Sequence, residues 1–79
     1  MLKLIGSRIK SERLKRNLSI DEFASLVGVT DLPVKLWEKG KMAPRLSQII
    51  KISEIFNVTT DYLFGLKDKW DFSASFHYS

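Results

Sequence analysis

The chain has no cysteine, one histidine, two prolines and four glycines among its 79 residues. Without thiols there is neither a disulfide nor a thiolate zinc site, so a small fold must hold by packing, and nothing points to an oxidising compartment. The single histidine, His77, cannot build a metal cluster. It lies among serines without a placed acid, and neither a carboxylate pair nor a phosphate-binding loop is present. An enzyme, a cofactor and a metal are therefore not expected. Long apolar runs are also missing: MLKLIGSRIK meets charge too soon for a signal-peptide core, and no stretch approaches membrane-spanning length. A soluble cytoplasmic protein without membrane association is the expectation. Internal repeats, low-complexity segments and interdomain linkers are absent, which predicts one main domain.

Against these absences stand a hydrophobic content of 44%, enough for a real core, and a formal charge of +4 with a pI near 9.6. The distribution of charge is more telling than its sum. Residues 1–16 hold Lys3, Arg8, Lys10, Arg13, Lys15 and Arg16 against Glu12 alone. Residues 35–45 hold Lys35, Lys39, Lys41 and Arg45 against Glu38 alone. The remainder is net acidic. Two basic clusters in an otherwise acidic chain suit a polyanion such as DNA; the plainer alternative is a set of solvated lysine faces.

Leu2, Ile5, Ile9 and Leu14 recur at helical spacing and predict a helix over about 5–16, closed near Asn17, a residue that tolerates the left-handed conformation. Ser19-Ile20-Asp21-Glu22 has the capping-box pattern and opens a second helix, with Phe23, Ala24 and Val27 inward and Gly28 at its end. Thr30 is the natural cap of a third helix, with Val34 and Trp37 inward and Gly40 as its stop. Pro33 disfavours helical geometry at Leu32, which predicts a start nearer Pro33 than Thr30. Leu46, Ile49, Ile50, Ile52, Ile55 and Phe56 predict a helix over 46–56 with a wide buried stripe, closed by Asn57. Thr59 or Thr60 caps a last short helix that ends at Gly65. Residues 1–66 form the predicted domain. In the tail, 67–79, Trp70, Phe72, Ala74, Phe76 and Tyr78 alternate with polar residues. That is a strand pattern in need of a partner, either the N-terminal segment or a second copy of the chain, and so a candidate dimerisation element; a frayed end is the alternative.

The segments IGSRIKSERLKRNLS, DEFASLVGV, WEKGKMAPRLSQIIKISEIF and NVTTDYLFG together resemble the lambdoid phage repressor/Cro family, also called the XRE family of helix-turn-helix regulators. The resemblance spans about Ile5 to Leu66. It implies an all-α, five-helix, lambda-repressor-like DNA-binding domain. It also implies that Arg13 pairs with Glu38 to clamp the first helix to the recognition helix, with a further role for Arg13 beside a phosphate. The matched positions of Asp31, Leu32 and Lys35 read bases, and Lys39 shares their face with Leu36.

Here the chain departs from the family pattern, which favours glutamine or asparagine at these positions. Asp31 cannot donate to a base edge, but it can accept from cytosine N4; Leu32 can touch a thymine methyl; Lys35 suits guanine N7 and O6. A late helix start would turn Asp31 and Leu32 away from the bases and leave them as a cap. Ile20, where the family often has glutamine, cannot hydrogen-bond through its side chain. Phosphate contacts are expected from Arg8, Lys10, Arg13, Ser19, Lys41 and Arg45, and from backbone N–H groups near Ser19–Asp21 at a helix N-terminus; Lys15 and Arg16 are expected outside the footprint. Roughly six such contacts make affinity steeply salt-dependent.

The expected function is a sequence-specific transcriptional regulator of phage or prophage type. It is expected to be a repressor that binds double-stranded DNA at a pseudo-palindromic operator as a homodimer. The resemblance places a dimer surface around Asp61–Leu66. The alternative is a protein-interaction module on the same scaffold, an antitoxin or phage-encoded antagonist with a protein partner, motivated by the unusual surface of Ile20, Asp31, Leu32 and Pro33, since exposed apolar residues can be contact hot spots.

Overall fold

The computed structural model describes residues 2–66, which form five helices and no strand. They are α1 (Leu2–Lys15), α2 (Ile20–Val27), α3 (Asp31–Glu38), α4 (Leu46–Phe56) and α5 (Thr60–Phe64). None of them is long and apolar enough to cross a membrane. The alternating aromatic tail lies outside the described residues.

Local devices end these helices. Beyond α1, Asn17 takes φ 56° and the Leu18 N–H reaches back to the Arg13 carbonyl at 3.2 Å. The capping box of α2 is complete: Glu22 N–H donates to Ser19 Oγ at 3.0 Å, and Ser19 N–H donates to Glu22 Oε1 at 2.8 Å. Asn57 closes α4 with φ 56°. Thr59 caps α5 by accepting from the Tyr62 N–H at 3.0 Å.

The core is one cluster drawn from all five helices: Ile5, Ile9, Phe23, Ala24, Val27, Val34, Trp37, Ile49, Ile52, Phe56 and Leu63. Phe23 and Phe56 stack with centroids 5.0 Å apart and planes 5° from parallel, an offset arrangement worth about 0.5–1.5 kcal/mol beyond area burial. Trp37 is fully enclosed and its Nε1 has no hydrogen-bond partner among the described residues, so it is held there by shape rather than by its polar edge.

Three expectations need correction. α1 begins at Leu2, not near residue 5, because its first turn has partners far along the chain. Lys3 passes close over Gly40 and Leu4 close over Gly65, so that a Cβ on either glycine would lie 2.9 Å from Lys3 Cγ or 2.1 Å from Leu4 Cδ2. The buried stripe of α4 is narrower than its apolar content: Leu46 and Ile50 are 67% and 45% exposed, since α4 packs chiefly against α2 and α5. Leu14 is also exposed.

α1 and α3 meet at Gly6. A Cβ there would lie 2.0 Å from the Trp37 carbonyl oxygen and 3.1 Å from Glu38 Cα. Only a residue without a side chain lets the two backbones come this close, and this contact seats α3 on the body of the protein.

Candidate nucleic-acid interface

The turn between α2 and α3 depends on Gly28, whose φ of 91° suits glycine and strains any other residue. The Gly28 and Val29 N–H groups both donate to the Ala24 carbonyl, at 2.8 and 2.9 Å. The chain then extends through Thr30, and α3 starts at Asp31. The expected late start at Pro33 does not occur. Pro33 is the third helical residue, where its missing N–H would have had no intrahelical acceptor, and burial of Val34 and Trp37 in the following turn outweighs the steric preference at Leu32.

Arg13 fastens α3 from the other side. Its Nε and Nη2 donate to the two carboxylate oxygens of Glu38 at 2.7 and 2.9 Å, and its Nη1 donates to the Leu18 carbonyl at 2.8 Å. Both side chains are nearly inaccessible, at 8% and 6%. The Glu38 carboxylate holds the guanidinium charged and raises its pKa against the opposing effect of burial. A buried two-pronged pair of this kind fixes position as well as charge.

Asp31, Leu32, Lys35, Leu36 and Lys39 lie on the outer part of α3, where Leu32 is 59% exposed and Leu36 is half-buried. The aspartate is not isolated. Lys35 Nζ lies 3.1 Å from Asp31 Oδ2, one helical turn away, and the hydrogen bond and charge of Lys35 hold the Asp31 carboxyl below its ordinary value. Lys10, Lys35 and Lys39 line a groove of about 160 Å³ together with Ile20 and the Arg13–Glu38 pair. A larger concavity on α2 is lined by Leu18, Asp21, Glu22, Ser25 and Leu26. Its charged residues are acidic, so the lysine groove is the one suited to a polyanion.

The residues expected at phosphates are not equivalent. Lys10 lines the groove, and Ser19, Lys41 and Arg45 are exposed. The Ser19 hydroxyl accepts from Glu22 N–H and keeps its own hydrogen to donate. The Ser19 N–H is already bound to Glu22, which leaves the Ile20 and Asp21 amides at the mouth of α2. Arg13 is buried and committed to Glu38 and Leu18. Arg8 is drawn instead to α5, its guanidinium 4.4 Å from the Tyr62 ring centroid.

Two framework residues escaped the sequence reading. Gly6 carried no local signal, because its partner is the backbone of α3. Glu12 looked like one acid in a basic helix, yet it is 4% exposed and accepts from Arg16 Nη1 at 2.8 Å, Lys15 Nζ at 3.1 Å and Tyr62 Oη at 3.0 Å. Burial pushes its carboxyl up; the bonds from Arg16, Lys15 and Tyr62 outweigh this and hold it below its ordinary value. Arg16 also lies over Phe56 and donates to its carbonyl, so this cluster ties α1 to α4 and α5. The i, i+3 and i, i+4 spacing of Glu12 to Lys15 and Arg16 was the available hint.

Comparison with known proteins agrees with this geometry. The helix-turn-helix family profile matches residues 9–63. An HTH-type transcriptional regulator of Archaeoglobus fulgidus is 34% identical over 67 residues, which are 82% of this chain and 94% of that protein. Repressor protein C2 of Salmonella phage P22 is 27% identical over 60 residues, 76% of this chain and 28% of the longer repressor. The crystal structure of P22 c2 repressor with a synthetic operator superimposes with a TM-score of 0.73 at 27% identity, covering 76% of this chain and 91% of that one.

Proposed function

The chain belongs to the helix-turn-helix family of transcriptional regulators, and from that premise we propose that it is a sequence-specific DNA-binding repressor whose α3 enters the major groove. The observation that carries this reading is the lysine groove. Lys10, Lys35 and Lys39 converge beside the outer face of a helix that Gly6, Gly28 and the Arg13–Glu38 pair hold against the body. That the P22 c2 repressor, a structural neighbour, is seen in complex with a synthetic operator supports the same assignment. The family is one of regulators rather than enzymes.

Asp31, Leu32, Lys35 and Lys39 are the proposed base-facing residues. Lys10, Ser19, Lys41 and Arg45, with the Ile20 and Asp21 amides, are the proposed backbone contacts. Arg8 and Arg13 act within the fold. One domain of this size offers few base contacts, so the proposed binding unit is a homodimer on a two-fold-symmetric site. Its proposed surface surrounds α5, where Leu66 and Leu4 are exposed. The proposed site of action is the cytoplasm. No observation favours the protein-interaction module over DNA binding.

Mobility shift on duplex DNA from the protein's own promoter region tests the proposal. Three cationic backbone contacts per protomer, Lys10, Lys41 and Arg45, give a dimer a log K against log salt slope of about −5. Lys35→Ala with Arg45→Ala should abolish the shift. Tight binding indifferent to salt and to both substitutions would sink the reading.

A further inference from the structure

We propose that Asp31 and Lys35 act as one unit that reads a single C·G base pair, the carboxylate taking cytosine N4 and the ammonium taking guanine O6 and N7. This rests on the reading above, in which the outer face of α3 enters the major groove. In the groove, cytosine presents the N4 donor, and guanine presents the O6 and N7 acceptors. O6 and N4 are already hydrogen-bonded to each other within the pair, so they lie about 2.9 Å apart. Asp31 Oδ2 and Lys35 Nζ are 3.1 Å apart. The ion pair therefore presents an acceptor and a donor at nearly the spacing of the donor and acceptor on the base-pair edge, with opposite polarity.

The ion pair does not have to break on docking. An ammonium has three hydrogens, enough for Oδ2, O6 and N7, and a carboxylate has lone pairs for both Nζ and N4. Nor do the side chains have to be gathered from solvent. They meet in the free protein while remaining 48% and 45% exposed, Lys35 and Asp31 respectively. Asp31 is the first residue of α3, where the positive end of the helix favours a carboxylate. Lys39, one turn beyond Lys35, keeps the face positive, so the single carboxylate does not turn it against DNA.

The edge pattern selects between base pairs. An A·T pair also offers a donor, N6, beside an acceptor, O4. There, however, adenine N7 would face the carboxylate as a second acceptor, and the thymine methyl would crowd the ammonium. Reversing the C·G pair exchanges the two sides and sets like against like. An uncoupled lysine at this position could swing to a phosphate; the contact with Asp31 biases it toward the base edge.

The test is selection of binding sites from a random duplex pool with the full chain, followed by titration of the selected duplex. Wild type, Asp31→Ala, Lys35→Ala and the double variant are compared, with melting curves to confirm folding. One C·G pair per half-site should be preferred roughly tenfold over A·T. Each single variant should lose that preference at the same base pair, and the double variant should match the singles. Placing 7-deazaguanine at that pair should weaken wild type and leave Lys35→Ala unaffected. Preferences lost at two different base pairs, or an unchanged preference with only a lower melting temperature, would overturn the proposal and leave the DNA-binding reading standing. Failure of wild type to enrich any sequence would overturn both.

Discussion

Replacing Gly6 with alanine sets a local effect against a long-range one. Gly6 lies inside α1, and in a helix interior glycine is less favourable than alanine by about 1 kcal/mol, so local propensity alone predicts a more stable protein. The packing predicts the reverse. The new Cβ would lie 2.0 Å from the Trp37 carbonyl oxygen, a backbone atom that has no rotamer to change. A relaxed carbon–oxygen contact is about 3.3 Å, so α1 would have to withdraw from α3 by more than ~1 Å. That withdrawal would loosen Val34 and Trp37 against the core and strain the Arg13–Glu38 pair across the same junction. Overpacking of this kind costs about 1–3 kcal/mol, and a contact with fixed backbone belongs at the upper end. The net expectation is a loss of about 1–2 kcal/mol, or roughly 5–15 °C in Tm for a domain of this size. Urea titration and thermal melting followed by circular dichroism measure it. A Gly6→Ala protein as stable as wild type, or more so, would refute the packing argument.

Further perturbations probe the other supports. Arg13→Ala strands a buried carboxylate and should cost about 3–5 kcal/mol by urea denaturation, while the Arg13→Ala, Glu38→Gln double variant should cost less than the sum of the two singles. Gly28→Ala meets no atom of the described residues within 4 Å, so its cost is conformational, about 1–2 kcal/mol, and Gly28→Asn should recover part of it in the same assay. Glu12 carries a pH signature. Its folded carboxyl lies below the ordinary value of 4.5, so its contribution is complete above that pH and is lost as pH falls through the lower folded value. Glu12→Gln should flatten this acid limb in melts recorded from pH 6 downward, and an unchanged limb would remove Glu12 from the account.

Much of the fold was legible because its signals are local. Ser19 and Glu22 announce a helix start within four residues, and Asn17, Gly28 and Asn57 mark chain reversals by their tolerance of positive φ. Val34 and Trp37 show an inner face by spacing alone. What stayed hidden depends on partners distant in sequence. Gly6 reads as a weak helix residue until Trp37 lies across it. Leu46 and Ile50 read as core until the neighbours of α4 prove to lie on one side. Arg8 and Lys10 are two basic residues of the same helix, yet one turns to Tyr62 and the other to the groove beside Lys35. Pro33 shows a local rule losing to burial one turn away. The candidate site was legible as a face, but its coupling of Asp31 to Lys35 required the folded helix.

An NMR titration of the full chain with its selected duplex tests most directly whether the outer face of α3 is the DNA-reading surface. Amide shifts should concentrate at Ser19–Asp21, along Asp31–Lys35 and over Lys39–Arg45, with intermolecular contacts from Leu32 and Lys35 to major-groove base protons. Contacts confined to α4 and α5, with α3 unperturbed, would contradict it.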